Sequence, residues 1–362
     1  MKEKIFLPGL NGLRAIAALS VILCHVFQEL KGYGLAGSGR FNSFGIYGVT
    51  IFFTLSGFLI TYLLLKEKEK TNTVAINKFY IRRILRIWPL YFLFLTIVLF
   101  VIDFQFSSNI WYYLLMLPNI PWAVGSAGGA IHTIPLLSHY WSLGVEEQFY
   151  AFWPFVIKKI SKLKWFLIVF CLLFVGLKFA LKLSNAPATI ISFVYYTRFS
   201  CLIIGGFGAY LYYHKSKLVH FCSNIFVACA TWILLIILLC DFVTLYSILG
   251  NEIVSVLTLI IIFNQIKNPK KIFSLENKVF DYLGKISFGL YIYNPLIIHS
   301  LSPLFYNQLQ NQYYIKMTLI LILNFGLAII IAHISYHYFE KRFLKIKNQF
   351  TTIESFSSNP NN

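Results

Sequence analysis

Charged residues are scarce in this sequence. Asp, Glu, Lys and Arg make up 12% of its 362 residues, whereas a soluble domain carries roughly a quarter. Apolar residues account for 58%, and apolar runs of about 20 residues, the length that crosses a bilayer, recur from end to end. The composition therefore excludes a mainly soluble protein and predicts an all-α fold, a polytopic bundle of membrane helices.

The sequence also lacks paired cysteines. Its six cysteines lie in or beside apolar runs, and none forms a Cys-x-x-Cys pair, a spacing typical of zinc sites. We therefore predict no metal site. A cleavable leader is not indicated either, because Arg14 interrupts the first apolar stretch and no small-residue cleavage site follows Phe27. The first stretch is predicted to remain as a membrane helix.

A net charge of +18 could indicate a protein that binds nucleic acid, and the placement of the charges decides whether it does. The basic residues lie between apolar runs, as in a membrane protein, so we predict no nucleic-acid partner. The runs predict about ten spans, near residues 10–29, 44–65, 88–105, 139–157, 164–182, 198–213, 222–243, 248–265, 283–302 and 316–338.

The Lys and Arg residues also predict the orientation, because short loops rich in them stay in the cytoplasm. With these spans, 24 of the 31 Lys and Arg residues fall on one side. Both termini are therefore predicted to be cytoplasmic, in a multi-pass protein of the plasma (inner) membrane. Residues 1–345 are predicted to form one transmembrane domain, and residues 346–362, which end in Ser and Asn, a disordered cytoplasmic tail.

Two costly polar residues lie in the first predicted span. Arg14 and His25 are eleven residues apart, so on a helix they share one face about 16 Å apart. That separation is comparable to a phosphopantetheine arm, so Arg14 could hold a phosphate while a thioester reaches His25. In the alternative, Arg14 reaches lipid headgroups and His25 bonds a neighbouring helix.

A carboxylate that could orient His25 occurs in the fourth predicted span. Glu146 and Glu147 lie two turns into that span, and at least one should face a polar cavity or a cation. The alternative is an interfacial turn in which both are solvated. A third element, Arg83 and Arg86, is spaced to share one helical face and suits a polyphosphate. Taken alone, however, a basic helix just inside a membrane more often binds anionic lipid headgroups.

These residues together resemble the integral membrane acyltransferases of the type 3 group, which O-acetylate surface glycans. The resemblance runs from residue 7 to about residue 345. It rests on ordered motifs, namely Leu10–Arg14 followed by Cys24–His25, then Arg83-x-x-Arg86 with Pro89, then Trp141–Tyr150, and less specifically Phe52–Phe58 and Ser335–Glu340.

The resemblance implies transfer of an acyl group, expected to be acetyl, from cytoplasmic acyl-CoA to a hydroxyl of a surface or lipid-linked glycan. It implies His25 and Glu146 as catalytic residues, Arg14, Arg83 and Arg86 as acyl-CoA ligands, and Trp141, Tyr150 and Asn294 as positioning residues. Acetyl-CoA would be a cosubstrate, with no tightly bound cofactor. The family often has histidine at position 294, and asparagine cannot shuttle a proton, so we expect Asn294 only to position.

Membrane lipids, acyl-CoA and a glycan acceptor are the expected partners. Many members of the family carry an additional outer hydrolase-like domain, so a separate outer-side protein is a further expected partner unless the chain acts alone. The rival interpretation is a secondary transporter or flippase whose intramembrane Arg, His and Glu form a substrate path. An acceptor that is a small hydrophobic molecule or a peptidoglycan sugar remains a second alternative.

Overall fold

The computed structural model describes residues 3–35, 41–102, 109–243, 248–267, 273–308 and 312–356. These residues are almost entirely helical. The helices are α1 (Leu10–Gln28), α2 (Asn42–Thr71), α3 (Ile76–Val101), α4 (Ile110–Leu114), α5 (Asn119–Ser126), α6 (Trp141–Lys159), α7 (Leu163–Leu183), α8 (Ala188–Thr197), α9 (Phe199–Tyr213), α10 (Lys217–Cys222), α11 (Ile225–Leu239), α12 (Gly250–Lys267), α13 (Lys278–Lys285), α14 (Ser287–Phe305), α15 (Tyr313–Ser335) and α16 (Lys341–Gln349).

Four shorter elements complete the described fold. A 3-10 turn, Ser138–Tyr140, leads into α6, and a π-helical turn, Tyr336–Glu340, joins α15 to α16. Strands β1 (Glu3–Phe6) and β2 (Ile353–Phe356) pair in parallel.

Among the described residues, six helical segments are long and apolar enough to cross a membrane, which confirms the predicted helical, multi-pass membrane protein. They are Leu10–Gln28, Asn42–Thr71, Ile76–Val101, Leu163–Leu183, Ala188–Tyr213 and Tyr313–Gln349. The other four predicted spans coincide with α6, α11, α12 and α14. Of these, α11 has only 15 residues, and the other three carry buried or half-buried polar side chains such as Glu146, Glu252 and Asn294. The count of ten spans stays a prediction.

Two predicted boundaries differ from the structure in ways that matter for the site. The span predicted at 88–105 belongs to α3, which begins at Ile76, because the basic segment before Trp88 is itself helical. Arg83 and Arg86 therefore continue a membrane helix. The span predicted at 198–213 is preceded by α8, and Arg198 interrupts the helix with a φ of 44°.

The centre of the bundle is formed by α1 and α2. In their most apolar windows, 67% of α1 and 83% of α2 is buried inside the protein, against 11% of α7. Small residues let α2 and α9 cross closely, as is usual between membrane helices. A Cβ on Gly57 would lie 1.9 Å from the Leu202 carbonyl oxygen, and one on Gly205 would lie 2.1 Å from the Thr54 carbonyl oxygen.

The C-terminal segment is ordered further than the sequence predicts. Residues 346–349 belong to α16 and residues 353–356 form β2, which pairs with β1 in the register Glu3 to Ile353. The ordering has a local cause, because Arg82 donates from Nη1 to the Phe350 carbonyl oxygen at 2.9 Å and from Nη2 to Glu67 Oε2 at 2.9 Å. Residues 357–362 of the predicted disordered tail lie outside the described residues.

The β1–β2 pair also places both ends of the described chain at the same end of the bundle. This agrees with an even number of crossings. Which side of the membrane that end faces stays the prediction made from the Lys and Arg count.

We predict that Gly57→Ala destabilises the protein, since its methyl group would overlap the Leu202 carbonyl. Overpacking of this kind costs about 1–3 kcal/mol, so thermal unfolding in detergent should begin at a clearly lower temperature. Gly176→Ala in α7 is the matched control, because a Cβ there meets nothing within 4 Å. An equal loss of stability in both variants would contradict the proposed close packing of α2 on α9.

Candidate active site

A cavity of about 520 Å³ opens beside the β1–β2 pair and extends into the bundle. Its lining follows α2 from Glu67 near the opening to Val49 at the inner end, a helical distance of about 27 Å. Around α2 stand α1, α3, α6 and α14, and residues of α16 and β2 line the opening. The cavity is therefore long and narrow, and its mouth includes the C-terminal segment.

The arginines singled out in the sequence line this cavity together. Arg14 of α1 and Arg83 and Arg86 of α3 all face it. The Arg83 guanidinium lies over the rings of Phe79 and Tyr150, at 5.8 and 5.7 Å, and its buried Nε has no hydrogen-bond partner among the described residues. Cations from two helices are thus collected at one level of the cavity.

Acidic groups offset these cations only in part. Of the cavity's carboxylates, Glu67 is occupied by Arg82 and by the backbone N–H of Ala75, at 2.9 and 3.1 Å. Glu146 lies beside the hydroxyls of Ser56 and Tyr150 and interacts electrostatically with Arg83 and Arg14. The lining contains more basic than acidic side chains, so the cavity favours an anionic ligand.

The sequence led us to expect Glu146 beside His25. The structure does not bring the two side chains together. Glu146 lies level with Arg14, and Arg14 is three turns away from His25 along α1. The reason is the path of α6, whose first residues stand at the inner end of the cavity, so that Glu146 falls one turn nearer the opening. Glu147 points elsewhere and accepts a hydrogen bond from Trp88 Nε1 at 3.2 Å.

The partner of His25 is Asn294. The amide nitrogen of Asn294 lies 2.8 Å from Nδ1 of His25. An asparagine amide can either donate a hydrogen bond to this nitrogen or, with its oxygen and nitrogen exchanged, accept a hydrogen bond from its N–H. The second arrangement leaves Nε2 of His25 unprotonated and able to act as a base. If Asn294 positions another group, as expected from the sequence, that group is the imidazole of His25.

His25 lies just beyond the inner end of the cavity. The backbone of Gly45 in α2 packs on Cys24, the neighbour of His25, and Gly45 is one turn, about 6 Å, past Val49. His25 does not line the cavity itself. A ligand that fills the cavity would thus need a narrow terminal group to approach the imidazole.

Sequence reasoning missed the groups between the cavity and His25. Tyr291 and Ser142 both line the inner end, and their hydroxyl oxygens are 2.7 Å apart. The Tyr291 hydroxyl also lies 2.7 Å from the His139 carbonyl oxygen. His139 is buried, neither ring nitrogen has a hydrogen bond of normal geometry among the described residues, and it interacts electrostatically with His25.

A signal for these groups was present in the sequence. Tyr291 precedes Asn294 by three positions and so shares its helical face, and Ser142 lies inside the motif that contains Glu146. Of the two remaining expected positioning residues, Tyr150 lines the cavity. Trp141 does not, and its ring packs instead under the guanidinium of Arg198 at 5.1 Å.

Comparison with known proteins gives one family. The family model of an acyltransferase domain, Acyl_transf_3, matches residues 7–336. Two similar relatives are the O-acetyltransferases OatA of Staphylococcus aureus strains NCTC 8325 and COL, each 29% identical over 92% of this chain and 57% of the relative. SACOL0978 of strain COL is 29% identical over 95% of this chain.

The chain spans less than three fifths of the length of these relatives, 57% of OatA and 58% of SACOL0978. No solved structure matches it.

We predict that Asn294→Ala lowers the rate of acyl transfer by about tenfold or more, because His25 loses the hydrogen bond that fixes its ring. The affinity for a ligand of the cavity should stay the same, since position 294 does not line the cavity. Steady-state transfer by protein in membranes measures both quantities. His299→Ala is the control, a deletion of an exposed histidine in the same helix, and a matching loss of rate there would refute the assignment.

Proposed function

The chain belongs to the type 3 acyltransferase family, and we propose that it moves an acetyl group from cytoplasmic acetyl-CoA to a hydroxyl of a surface or lipid-linked glycan at the plasma membrane. The observation that carries this proposal is the cavity, which is long, narrow and basic and ends one helical turn short of His25. Its shape and charge suit a thioester on a long phosphorylated carrier.

The arginines supply the donor site in this proposal. Coenzyme A carries a diphosphate and a further phosphate on its ribose, and guanidinium groups bind phosphate oxygens with two parallel hydrogen bonds. Arg14, Arg83 and Arg86 stand together on the cavity wall. The phosphates lie at this level, and the pantetheine arm extends along α2 towards Ser142 and Tyr291.

His25 acts on the thioester end. As a general base, its Nε2 takes the proton of the acceptor hydroxyl, the oxygen attacks the thioester carbonyl, and the coenzyme A thiolate leaves and is protonated. As an acyl carrier, the same nitrogen attacks first and passes the acetyl group to the hydroxyl afterwards. In both routes Asn294 holds the ring by Nδ1, and the neutral amide does not itself move a proton.

Glu146 has a different role from the one that the sequence indicated. It stands behind Arg14 and Arg83 and beside the Tyr150 hydroxyl, so in this proposal it orients the phosphate-binding groups and limits their mutual repulsion. The acetyl group then crosses the bilayer inside the bundle, and the acceptor approaches from the outer side.

A ligand-binding measurement distinguishes the proposed acyltransferase from the rival function, a secondary transporter or flippase. A protein that binds acetyl-CoA in its folded state is stabilised by it, so the unfolding temperature of the purified protein should rise with acetyl-CoA concentration. No shift with saturating acetyl-CoA would favour a transporter. Transfer by the purified chain alone, compared with transfer in membranes, tests whether a separate outer-side protein is required.

We predict that Arg83→Gln combined with Arg86→Gln weakens coenzyme A binding by at least about tenfold, since each lost phosphate contact to a charged group costs roughly 1.5–3 kcal/mol. Calorimetry at two salt concentrations measures the loss, and binding to the unaltered protein should also weaken with salt because phosphate pairing is screened.

The control for this double variant is Arg342→Gln with Lys345→Gln, which removes the same charge from exposed positions of α16 outside the cavity. Binding that survives loss of Arg83 and Arg86 would make these arginines lipid anchors.

His25→Ala should abolish transfer while acetyl-CoA still stabilises the protein, because His25 lies beyond the cavity that binds the donor. The decisive measurement is mass spectrometry of the cell-surface glycans from cells with the unaltered gene, the His25→Ala gene and no gene. Acetyl groups present only with the unaltered gene support the proposal. Acetylation that persists with His25→Ala would exclude His25 from the chemistry.

A further inference from the structure

Arg198 is a buried cation that the donor cavity does not use. Its side chain is 2% exposed, and its Nη1 donates to the Ile46 carbonyl oxygen at 3.0 Å and to Thr50 Oγ1 at 3.2 Å. Its Nε has no partner among the described residues, and no carboxylate oxygen there lies within 4.0 Å of the guanidinium. A buried charge held only by neutral groups is costly.

The carboxylate that Ser200 contacts is already paired with another cation. Glu252 Oε1 accepts from Lys178 Nζ at 2.5 Å and from Ser200 Oγ at 2.6 Å, and all three side chains are buried. Lys178 and Glu252 pair with each other, and Arg198 has no carboxylate oxygen within 4.0 Å among the described residues, so the cost of burying its charge remains. An anionic group from outside the protein would remove that cost.

Aromatic rings surround Arg198. Its guanidinium lies 5.1 Å from the centre of the Trp141 ring and 6.0 Å from that of Tyr195. Trp122 stacks on Trp141 with ring centres 6.2 Å apart, and the ring of Tyr196 meets both edge-on. Tyr195 is 36% exposed, so the cluster reaches the surface on one side. Aromatic faces with a few fixed polar groups are the usual lining of small-ligand sites.

This cluster adjoins the inner end of the donor cavity. Trp141 faces Arg198, and the next residue, Ser142, faces the cavity and meets the Tyr291 hydroxyl. Tyr291 in turn lies within electrostatic range of Arg198. By the Lys and Arg count, Arg198 and Lys178 lie towards the outer side. A molecule entering from that side would therefore reach the acyl group at the level of Tyr291 and His25.

Resting on the proposed function, we propose that the Arg198 cluster is the acceptor site and that the acceptor is an acidic glycan. A carboxylate or phosphate on the sugar pairs with Arg198, and the sugar ring packs against Trp141 and its aromatic neighbours. The acceptor hydroxyl then lies on the His25 side of this anchor. Transfer to neutral glycans is disfavoured because the guanidinium would stay uncompensated.

The first test uses the glycan that loses acetyl groups when the gene is deleted. Mass spectrometry of its repeat unit should place the acetyl group on, or next to, a sugar that carries a carboxylate or a phosphate. Acetylation within a neutral repeat unit would overturn the acidic-glycan inference and leave the proposed function intact. If deletion removes no acetyl group from any glycan, the proposed function itself fails.

The second test compares that acceptor with a neutralised form of it. Reducing the carboxylates, or removing the phosphates, should lower kcat/KM of the unaltered protein by about 10- to 100-fold, the range for a lost charged hydrogen bond. The treatment that causes the loss identifies which anion Arg198 holds. Unchanged kcat/KM after both treatments would refute the inference, without any variant having to fold.

A variant then assigns the effect to Arg198. Arg198→Lys keeps the charge but not the forked geometry, so it should raise KM for the acidic acceptor about tenfold and change transfer to the neutralised acceptor by less than about twofold. Binding of acetyl-CoA should be unaltered. Lys182→Gln, an exposed cation on the same predicted side, is the control and should behave as the unaltered protein. An equal loss of kcat with both acceptors would instead give Arg198 a role in the reaction itself or in folding.

Discussion

The rest of the fold depends on keeping guanidinium groups inside a bundle with few carboxylates. Arg14, Arg83 and Arg198 all stand among membrane helices, and only 13 acidic residues are present in the whole chain. Each cation is stabilised differently, by an asparagine and a nearby glutamate, by aromatic faces, or by backbone and hydroxyl oxygens. None of these arrangements cancels the charge completely. The described bundle thus holds positive charge at two depths, a distribution that suits the proposed binding of one anion from each side.

One hydroxyl connects these two depths. Tyr291 meets Ser142 at the end of the donor cavity, contacts the backbone of His139, and lies within range of both Arg198 and Glu146. It also shares a face of α14 with Asn294, the partner of His25. A single turn of α14 therefore determines how the donor, the imidazole and the proposed acceptor stand relative to one another.

Features that depend on local spacing were predictable from the sequence. The helical membrane fold follows from apolar runs, and the gathering of Arg14, Arg83 and Arg86 on one cavity agrees with their shared helical faces. The link between His25 and Glu146 failed because spacing along α1 and α6 does not give their relative depth. That depth is set by how far α6 extends before its 3-10 turn, a tertiary property. Arg198 could not be recognised as a site because its isolation from carboxylates appears only when α2, α9 and α12 are packed together.

The pairing of β1 with β2 has a consequence for how the enzyme is made. Strand β2 leaves the ribosome after helices α1 to α16, and it lines the mouth of the cavity together with α16. The helices that carry Arg14 and Arg83 are inserted long before that. During synthesis the cavity therefore exists without its rim until residues 341–356 have been made. In this architecture, the synthesis of that segment completes the mouth of a cavity whose inner walls are already in the membrane.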